Sequence, residues 1–447
     1  MKIITFTASL LALAIVTNSV HAKVSRQEAS RLGKDLTAMG AQQAANATGT
    51  IPAYTGGLTQ NSNTDPYADI YAHEKPLFVI NKGNLAQYKD NLTRGQLAMF
   101  KKYPDTYAMP IYQTHRSASY PQYILDKARK NATSAELVVG GNGLKNFDEA
   151  IPFAIPGNGL EVIWNHITRF RGGSVETNRA NMPVQRDGSF SPVKIRAVIT
   201  APQYLQGGYV EKKDKNILFY YTSATKSPAR LSGNVLLVHE TIDQVNEPRK
   251  AWKYNAGQRR VRRAPQVAYD APNTDGMRTA DQVDMFNGAP DRYDWKLIGK
   301  KEIYIPYNSY KIIDQDAKYK DIVTAGHINQ DYTRYELHRV WHVEAHLKDG
   351  ARHIYTERSL YLDEDSWQIA VADHYDSRGE LWRVSEGHSM QFVNANTPWY
   401  TSITSYDLMS GRYTVELNGE ERDAFNFGFS VKRKNFTTSA IRRSGKR

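Results

Sequence analysis

The 447-residue sequence contains no cysteine. That absence excludes disulfides, thiolate zinc sites, iron–sulfur ligation, a cysteine nucleophile and lipid attachment through an N-terminal cysteine. Long apolar runs are missing as well: beyond the first residues nothing approaches the ~20 consecutive apolar residues of a membrane-spanning helix. There is no low-complexity segment and no repeat at a solenoid or propeller period. No Gly-x-Ser-x-Gly elbow, Walker loop or His-Glu-x-x-His helix occurs. Gly140-Gly141-Asn142-Gly143 follows Val138-Val139, but Asn146 stands where a dinucleotide fingerprint needs its third glycine, and no helical pattern follows. The acidic turn Asp363–Asp365 lacks the remaining ligands of a calcium loop. The chain therefore reads as a non-enzyme without a cofactor.

What is present starts with an export signal. Lys2 precedes an apolar run from Ile3 to Val16 and the small-residue site Val20-His21-Ala22, with polar sequence from Lys23. This predicts a signal peptide over 1–22 and a soluble, non-lipidated mature protein in a Gram-negative periplasm. Lys and Arg number 58 against 46 acidic residues, a net charge of +12, still +11 once Lys2 is removed. Export makes nucleic acid an unsuitable partner; anionic headgroups at a membrane surface or an acidic protein surface remain.

Ser25 and Glu28 form a capping box, and Ala29, Leu32, Leu36 and Met39 follow at helical spacing, which predicts a helix stopping near Gly40. The Gly-, Pro-, Asn- and Asp-rich stretch 49–76 reads as an extended arm on the body, so that 23–76 forms a helix plus arm and 77–447 one large domain. Further helices are predicted over Asn84–Lys101 and Pro121–Asn131. From Gly159 the pattern turns to strands: Glu161–Arg171 alternates, as do Val193–Thr200, Ile217–Tyr221, Val235–Ile242, Lys250–Tyr254 and Arg259–Ala264. Tyr335–Leu347, His353–Leu362, Trp367–Tyr375 and Leu381–Phe392, joined by short turns, predict a four-strand antiparallel meander. The fold class is α+β, mostly antiparallel β, with a sheet that must curl over its own apolar face or wrap a helix.

Two clusters invite chemistry. Along Glu336–Leu347, Glu336, His338, His342, Glu344 and His346 share one face of a strand, and His342, Glu344 and His346 are the candidate metal ligands of a hydrolase. Ligands two residues apart on a strand stand ~6.5 Å apart, so a half-exposed, hydrogen-bonded face is the default. In Trp252–Pro265, aromatics on one strand face Arg259, Arg260, Arg262 and Arg263 across a glycine turn; arginines bind carboxylate or phosphate in pairs of bonds, and the alternative is a solvated hairpin with arginines stacked on rings.

Several motifs carry a family resemblance over essentially the whole mature chain. They are Gly49-Thr50-Ile51-Pro52 with Tyr54-Thr55-Gly56-Gly57, Asp65-Pro66-Tyr67, Gly159–His166, Gly257–Pro265 and Glu336–Trp341. In these the sequence resembles the bacterial domain-of-unknown-function family 1329, described as similar to outer-membrane lipoprotein-sorting proteins. The resemblance implies a lipoprotein-carrier-like fold, a strongly curved open half-barrel sheet over helices. It also implies a non-catalytic carrier or docking factor for a lipid or other hydrophobic molecule, working with an inner-membrane exporter and an outer-membrane protein. On that expectation Trp164, Trp252, Tyr254 and Trp341 line the ligand site, and the four hairpin arginines face a headgroup, a membrane surface or a partner. The alternative is an envelope scaffold that binds proteins only.

Overall fold

The computed structural model describes residues 24–59, 65–273, 276–418 and 424–445; the predicted signal peptide lies outside them. The strands are β1 (Phe78–Ile80), β2 (Met109–Ile111), β3 (Glu136–Leu137), β4 (Leu144–Lys145), β5 (Ser174–Val184), β6 (Val193–Thr200), β7 (Ile217–Thr225), β8 (Val235–Thr241), β9 (Lys250–Asn255), β10 (Arg260–Arg263), β11 (Tyr293–Pro306), β12 (Tyr335–Leu347), β13 (Glu357–Asp363), β14 (Ile369–Tyr375), β15 (Leu381–Phe392), β16 (Thr397–Asp407), β17 (Tyr413–Leu417) and β18 (Phe425–Phe427). The helices are α1 (Arg26–Ala29), α2 (Arg94–Lys102), α3 (Gln122–Ser134), α4 (Gly159–Thr168), α5 (Glu211–Asp214), α6 (Tyr319–Ile322) and α7 (Thr438–Ser444).

One large sheet dominates, in the order β1-β2-β12-β13-β14-β15-β16-β17-β5-β6-β7-β8-β9-β10, with β11 on β12 and β18 on β5. Its pairings are antiparallel apart from a parallel contact of β12 with β2 at Tyr335 and Ile111. The ends β1 and β10 do not pair, so the sheet is not closed into a barrel. The predicted meander runs through β12–β15, with Tyr335–Leu347 and Leu381–Phe392 at the expected bounds. Two starts differ. Trp367 adopts φ +58 in the turn before β14, and His353 leaves the β13 line to bond Asp281.

The helical predictions need correction. The Ser25–Glu28 capping box forms, but α1 ends after one turn; Gly33 takes φ +87, and Leu32, Leu36 and Met39 are buried from irregular turns instead. Asn84–Lys101 divides into two 3-10 turns and α2, because Thr93 and Gln96 form a second capping box inside it. The largest departure is Glu161–Arg171, expected as a strand and found as α4, with Asn158 as N-cap accepting from the Glu161 amide. Alternation misleads here because α4 is buried on nearly all sides, its Asn165 and His166 satisfied by backbone groups within the core.

The sheet has two covered faces. Ala372 joins the core that α3 and α4 build with Trp164, Trp367, Val343, Leu360 and Ile403. Its strand neighbour Asp373 points the other way and accepts from the Gly95 amide of α2. Gly159 lets the start of α4 approach β11, since a Cβ there would lie 2.9 Å from the Trp295 and Lys296 backbone. The α4 face is thus filled over β11–β16. On the opposite face α7 covers β8 and β9, with Ile441 and Phe436 in the core around Tyr254 and Leu237.

Candidate functional site

Where the α4 face continues from β16 across β17 and β5 to β9, the helices stop and a cavity of about 390 Å³ remains. Side chains alternate along a strand, so one set from each strand builds its floor: Thr177, Arg179 and Asn181 on β5, Ile195, Ala197 and Ile199 on β6, Phe219, Tyr221 and Ser223 on β7, Leu236 and Val238 on β8. Thr177, Ala197, Ser223, Leu236 and Lys253 pair in register as one transverse row. Tyr400 and Ile403, members of the α4 core, form the near wall. Val267, Val283, Asp284 and Asn287, from the segment between β10 and β11, form another. A second cavity of about 400 Å³ shares Arg171, Ile199 and Phe219 with the first.

Ion pairs lie in and around this mixed floor. Asp284 takes Arg169 at 2.5 Å and Arg171 at 2.8 Å. Arg171 also donates to the Ile167 carbonyl at the end of α4 and lies 5.8 Å from the Phe219 ring at the junction of the two cavities. Burial alone would raise the Asp284 pKa; the two guanidinium groups outweigh it and hold the carboxyl well below the usual range. His166 Nε2 donates to the Asp284 carbonyl at 2.9 Å, and burial followed by the Arg169 charge pushes the His166 pKa down to about 3. Asp284 and Met285 sit at φ +59 and +65, a backbone strain of order 1–3 kcal/mol each. The arginines on one side and the insertion of Met285 and Phe286 into the α4 core on the other hold it. Arg179 bonds Glu416 at 2.8 Å and the Tyr221 hydroxyl at 3.0 Å, and Arg249 bonds Glu240 at 2.5 Å. The Oδ1 atoms of Asn181 and Asn418, both buried and lining the cavity, have no hydrogen-bond partner.

The aromatics singled out from the sequence are not gathered in one place. Trp164 is fully buried in α4, its Nε1 donating to the Gly141 carbonyl at 2.9 Å. Trp341 stacks on Trp367 at 5.9 Å under the Lys300 ammonium. Trp252 packs with the α7 core. Tyr254 borders the cavity, but its ring occupies the space a Cβ of Gly445 would need, on the α7 side. Arg259, Arg260, Arg262 and Arg263 are exposed on the β9–β10 hairpin, with Arg263 over the Trp252 ring at 5.9 Å.

The expected half-exposed histidine face of β12 is a correction: Glu336, His338 and His342 are buried, because α2, the 307–334 segment and the N-terminal segment cover the meander. His342 stacks on Tyr361 at 4.5 Å and stands 4.0 Å from Glu344, which lies 3.3 Å from the exposed His346. The acidic turn Asp363–Asp365 is buried as well. Sequence reasoning misses the cavity residues Arg171, Arg179, Asp284 and Glu416: Arg171 falls in the Glu161–Arg171 stretch read as a strand, and no local signal marks Asp284.

An α+β protein built on one large, mostly antiparallel sheet that does not close into a barrel, with an amphipathic cavity beside its helix-filled half, is the class defined here. The chain belongs to the family of proteins of unknown function DUF1329, whose model matches residues 79–442. It is 56% identical to the uncharacterized protein PA3922 of Pseudomonas aeruginosa over 445 residues, 98% of each chain. Among solved structures it is similar to a Vibrio parahaemolyticus domain named for outer-membrane lipoprotein sorting, at 14% identity and TM-score 0.44, over 64% of this chain and 98% of that one. It is also similar to a DUF1329 family protein of Desulfovibrio piger, at 16% identity and TM-score 0.39, over 60% and 91%. No helix among the described residues is long and apolar enough to cross a membrane.

Proposed function

We propose that the cavity on β5–β9 holds an amphipathic, acyl-chain-bearing molecule without changing it chemically, and that the protein is a carrier in the periplasm. The observation that carries this reading is a floor in which apolar side chains (Ile195, Ala197, Ile199, Phe219, Val238) stand beside fixed polar groups (Arg171, Arg179, Asp284, Glu416) in a volume of about 390 Å³. Ligand pockets of roughly 300–1,000 Å³ commonly combine apolar walls with a few placed polar groups. In this reading the sheet curls as an open half-barrel and the acyl chain lies across β6–β8. Each buried methylene contributes ~0.8 kcal/mol. Release then requires a partner whose site binds the molecule better, such as an inner-membrane exporter or outer-membrane protein. The exposed hairpin arginines suit an acidic partner surface or anionic headgroups.

The test is extraction of detergent-free purified protein followed by lipid mass spectrometry. The expected result is a stoichiometric amphiphile displaced by excess fatty acid. Protein that carries nothing and takes up no fatty-acid probe overturns the reading.

A further inference from the structure

Behind the α4 core, β13 runs into a buried acidic turn that meets β12. Buried carboxylates need compensating partners, and three of the four here have arginine. Glu364 accepts from Arg339 at 2.8 Å and Lys300 at 2.6 Å. Asp365 takes Arg116 in a two-bond fork at 2.8 and 2.7 Å. Glu336 accepts from Arg334 at 2.6 Å and from the His115 amide at 2.8 Å. Asp363 differs. Its Oδ2 accepts from the Ser366 amide at 2.9 Å, while its Oδ1 is buried with no hydrogen-bond partner. Facing that oxygen, 3.7 Å away, is His338 Nδ1.

The other nitrogen of His338, Nε2, lies 3.2 Å from Glu336 Oε2. A carboxylate only accepts, so Nε2 carries the hydrogen, and Nδ1 is the atom left facing the unpartnered Asp363 oxygen. A buried carboxylate oxygen without a partner calls for a positive centre beside it. The Tyr307 hydroxyl is also buried and unpartnered; its ring centre is 4.0 Å from that of His338.

We propose that His338, Asp363 and Asp365 bind a divalent transition-metal ion of the Zn²⁺ or Mn²⁺ kind. One ligand atom from each lies within 4.8 Å of the others; Zn²⁺ takes imidazole nitrogen and carboxylate oxygen at ~2.0–2.2 Å, so two ligands on one ion stand at most ~4.4 Å apart and the three atoms need only close in slightly to share one. The outer contacts of a metal site are already in place: Glu336 orients the imidazole, Arg116 the Asp365 carboxylate and the Ser366 amide the Asp363 carboxylate. The ion has a mechanical role. Arg116 also reaches the Gln43 and Pro52 carbonyls, Arg339 donates to the Ala44 carbonyl, and Glu364 accepts from the Gln42 amide. The centre therefore braces the groups that clasp residues 42–52 to the sheet.

The test uses the full mature protein, purified without chelator. Elemental analysis should find Zn²⁺ or Mn²⁺ near equimolar, or the stripped protein should take up one of them in calorimetric titration, with Asp363→Asn and His338→Gln each losing at least ~100-fold in affinity. Metal removal should speed proteolysis within 42–52. Neither ion binding, a single proton instead bridging His338 and Asp363, overturns the proposal. So does metal retained in Asp363→Asn but lost in His342→Ala, which would place the ion on the outer part of β12. X-ray absorption of the Zn²⁺-loaded wild type needs no variant: one imidazole with oxygen ligands is expected, and two imidazoles overturn the assignment.

Discussion

Ser223 sits in the middle of the cavity floor, paired with Ala197 on β6 and Leu236 on β8, and its replacement by tryptophan is the most direct perturbation of the proposed carrier site. Aromatic residues are well accepted on strands, so the indole projects into the space assigned to the acyl chain and leaves the ladder intact. If it displaces about four methylenes, the loss is roughly 3 kcal/mol at ~0.8 kcal/mol each, a weakening on the order of 200-fold in Kd. Thr222→Trp is the control, because the next residue on β7 faces the 429–436 segment on the opposite side of the sheet. The assay is fluorescence titration with a dansyl-labelled fatty acid, with thermal melts confirming that both variants fold. Ser223→Trp binding within about threefold of wild type, or an equal loss in Thr222→Trp, refutes the placement of the ligand.

Asp284→Asn should cost about 3 kcal/mol in urea unfolding, since it leaves Arg169 and Arg171 buried without their shared counter-charge; an unchanged midpoint contradicts this account of the strained segment. Burial raises the Glu386 pKa to about 7, against ~4.3 when unfolded. Its contribution to stability is full below pH ~4.3 and is lost as pH rises through ~7. Glu386→Gln should therefore flatten the stability–pH curve over that window and exceed wild type by on the order of 3–4 kcal/mol at pH 8, and a variant curve parallel to wild type in chemical denaturation would be the failing result. Arg260→Glu with Arg263→Glu should leave the melting temperature unchanged, both residues being exposed, yet weaken co-sedimentation with phosphatidylglycerol vesicles at least ~tenfold at low salt; undiminished sedimentation removes the hairpin from any membrane or partner role.

The architecture was legible wherever local pattern and tertiary environment agreed. Val193–Thr200, Tyr335–Leu347 and Leu381–Phe392 carry enough β-branched and aromatic residues to be found by eye, and short turns fixed their antiparallel order. Glu161–Arg171 was not, because a helix buried all round has no amphipathic stripe, and Trp164, Asn165 and His166 in succession mimic alternation. β5, with Thr177, Asn178, Arg179, Asn181 and Pro183, looks like loop; Thr177, Arg179 and Asn181 face a cavity and the ion pairs around it. The site was less legible than the fold. Arg179 meets Glu416, and Arg169 meets Asp284, over sequence distances that no window spans. The hairpin arginines stood out because they are adjacent, and adjacency is what a solvated turn also produces.

The seam between β5 and β17 has a temporal consequence. Val184 pairs with Tyr413 and Ala180 with Leu417, joining stretches separated by roughly half the sequence, and such distant pairings are slow to form. A nascent chain that has produced β6–β9 owns most of the cavity floor but lacks Glu416, Trp399 and Tyr400. The chamber is thus finished only when the last strands dock. Under the carrier reading proposed above, no partly made chain holds a complete site, and cleavage after β16 should abolish binding while sparing the meander.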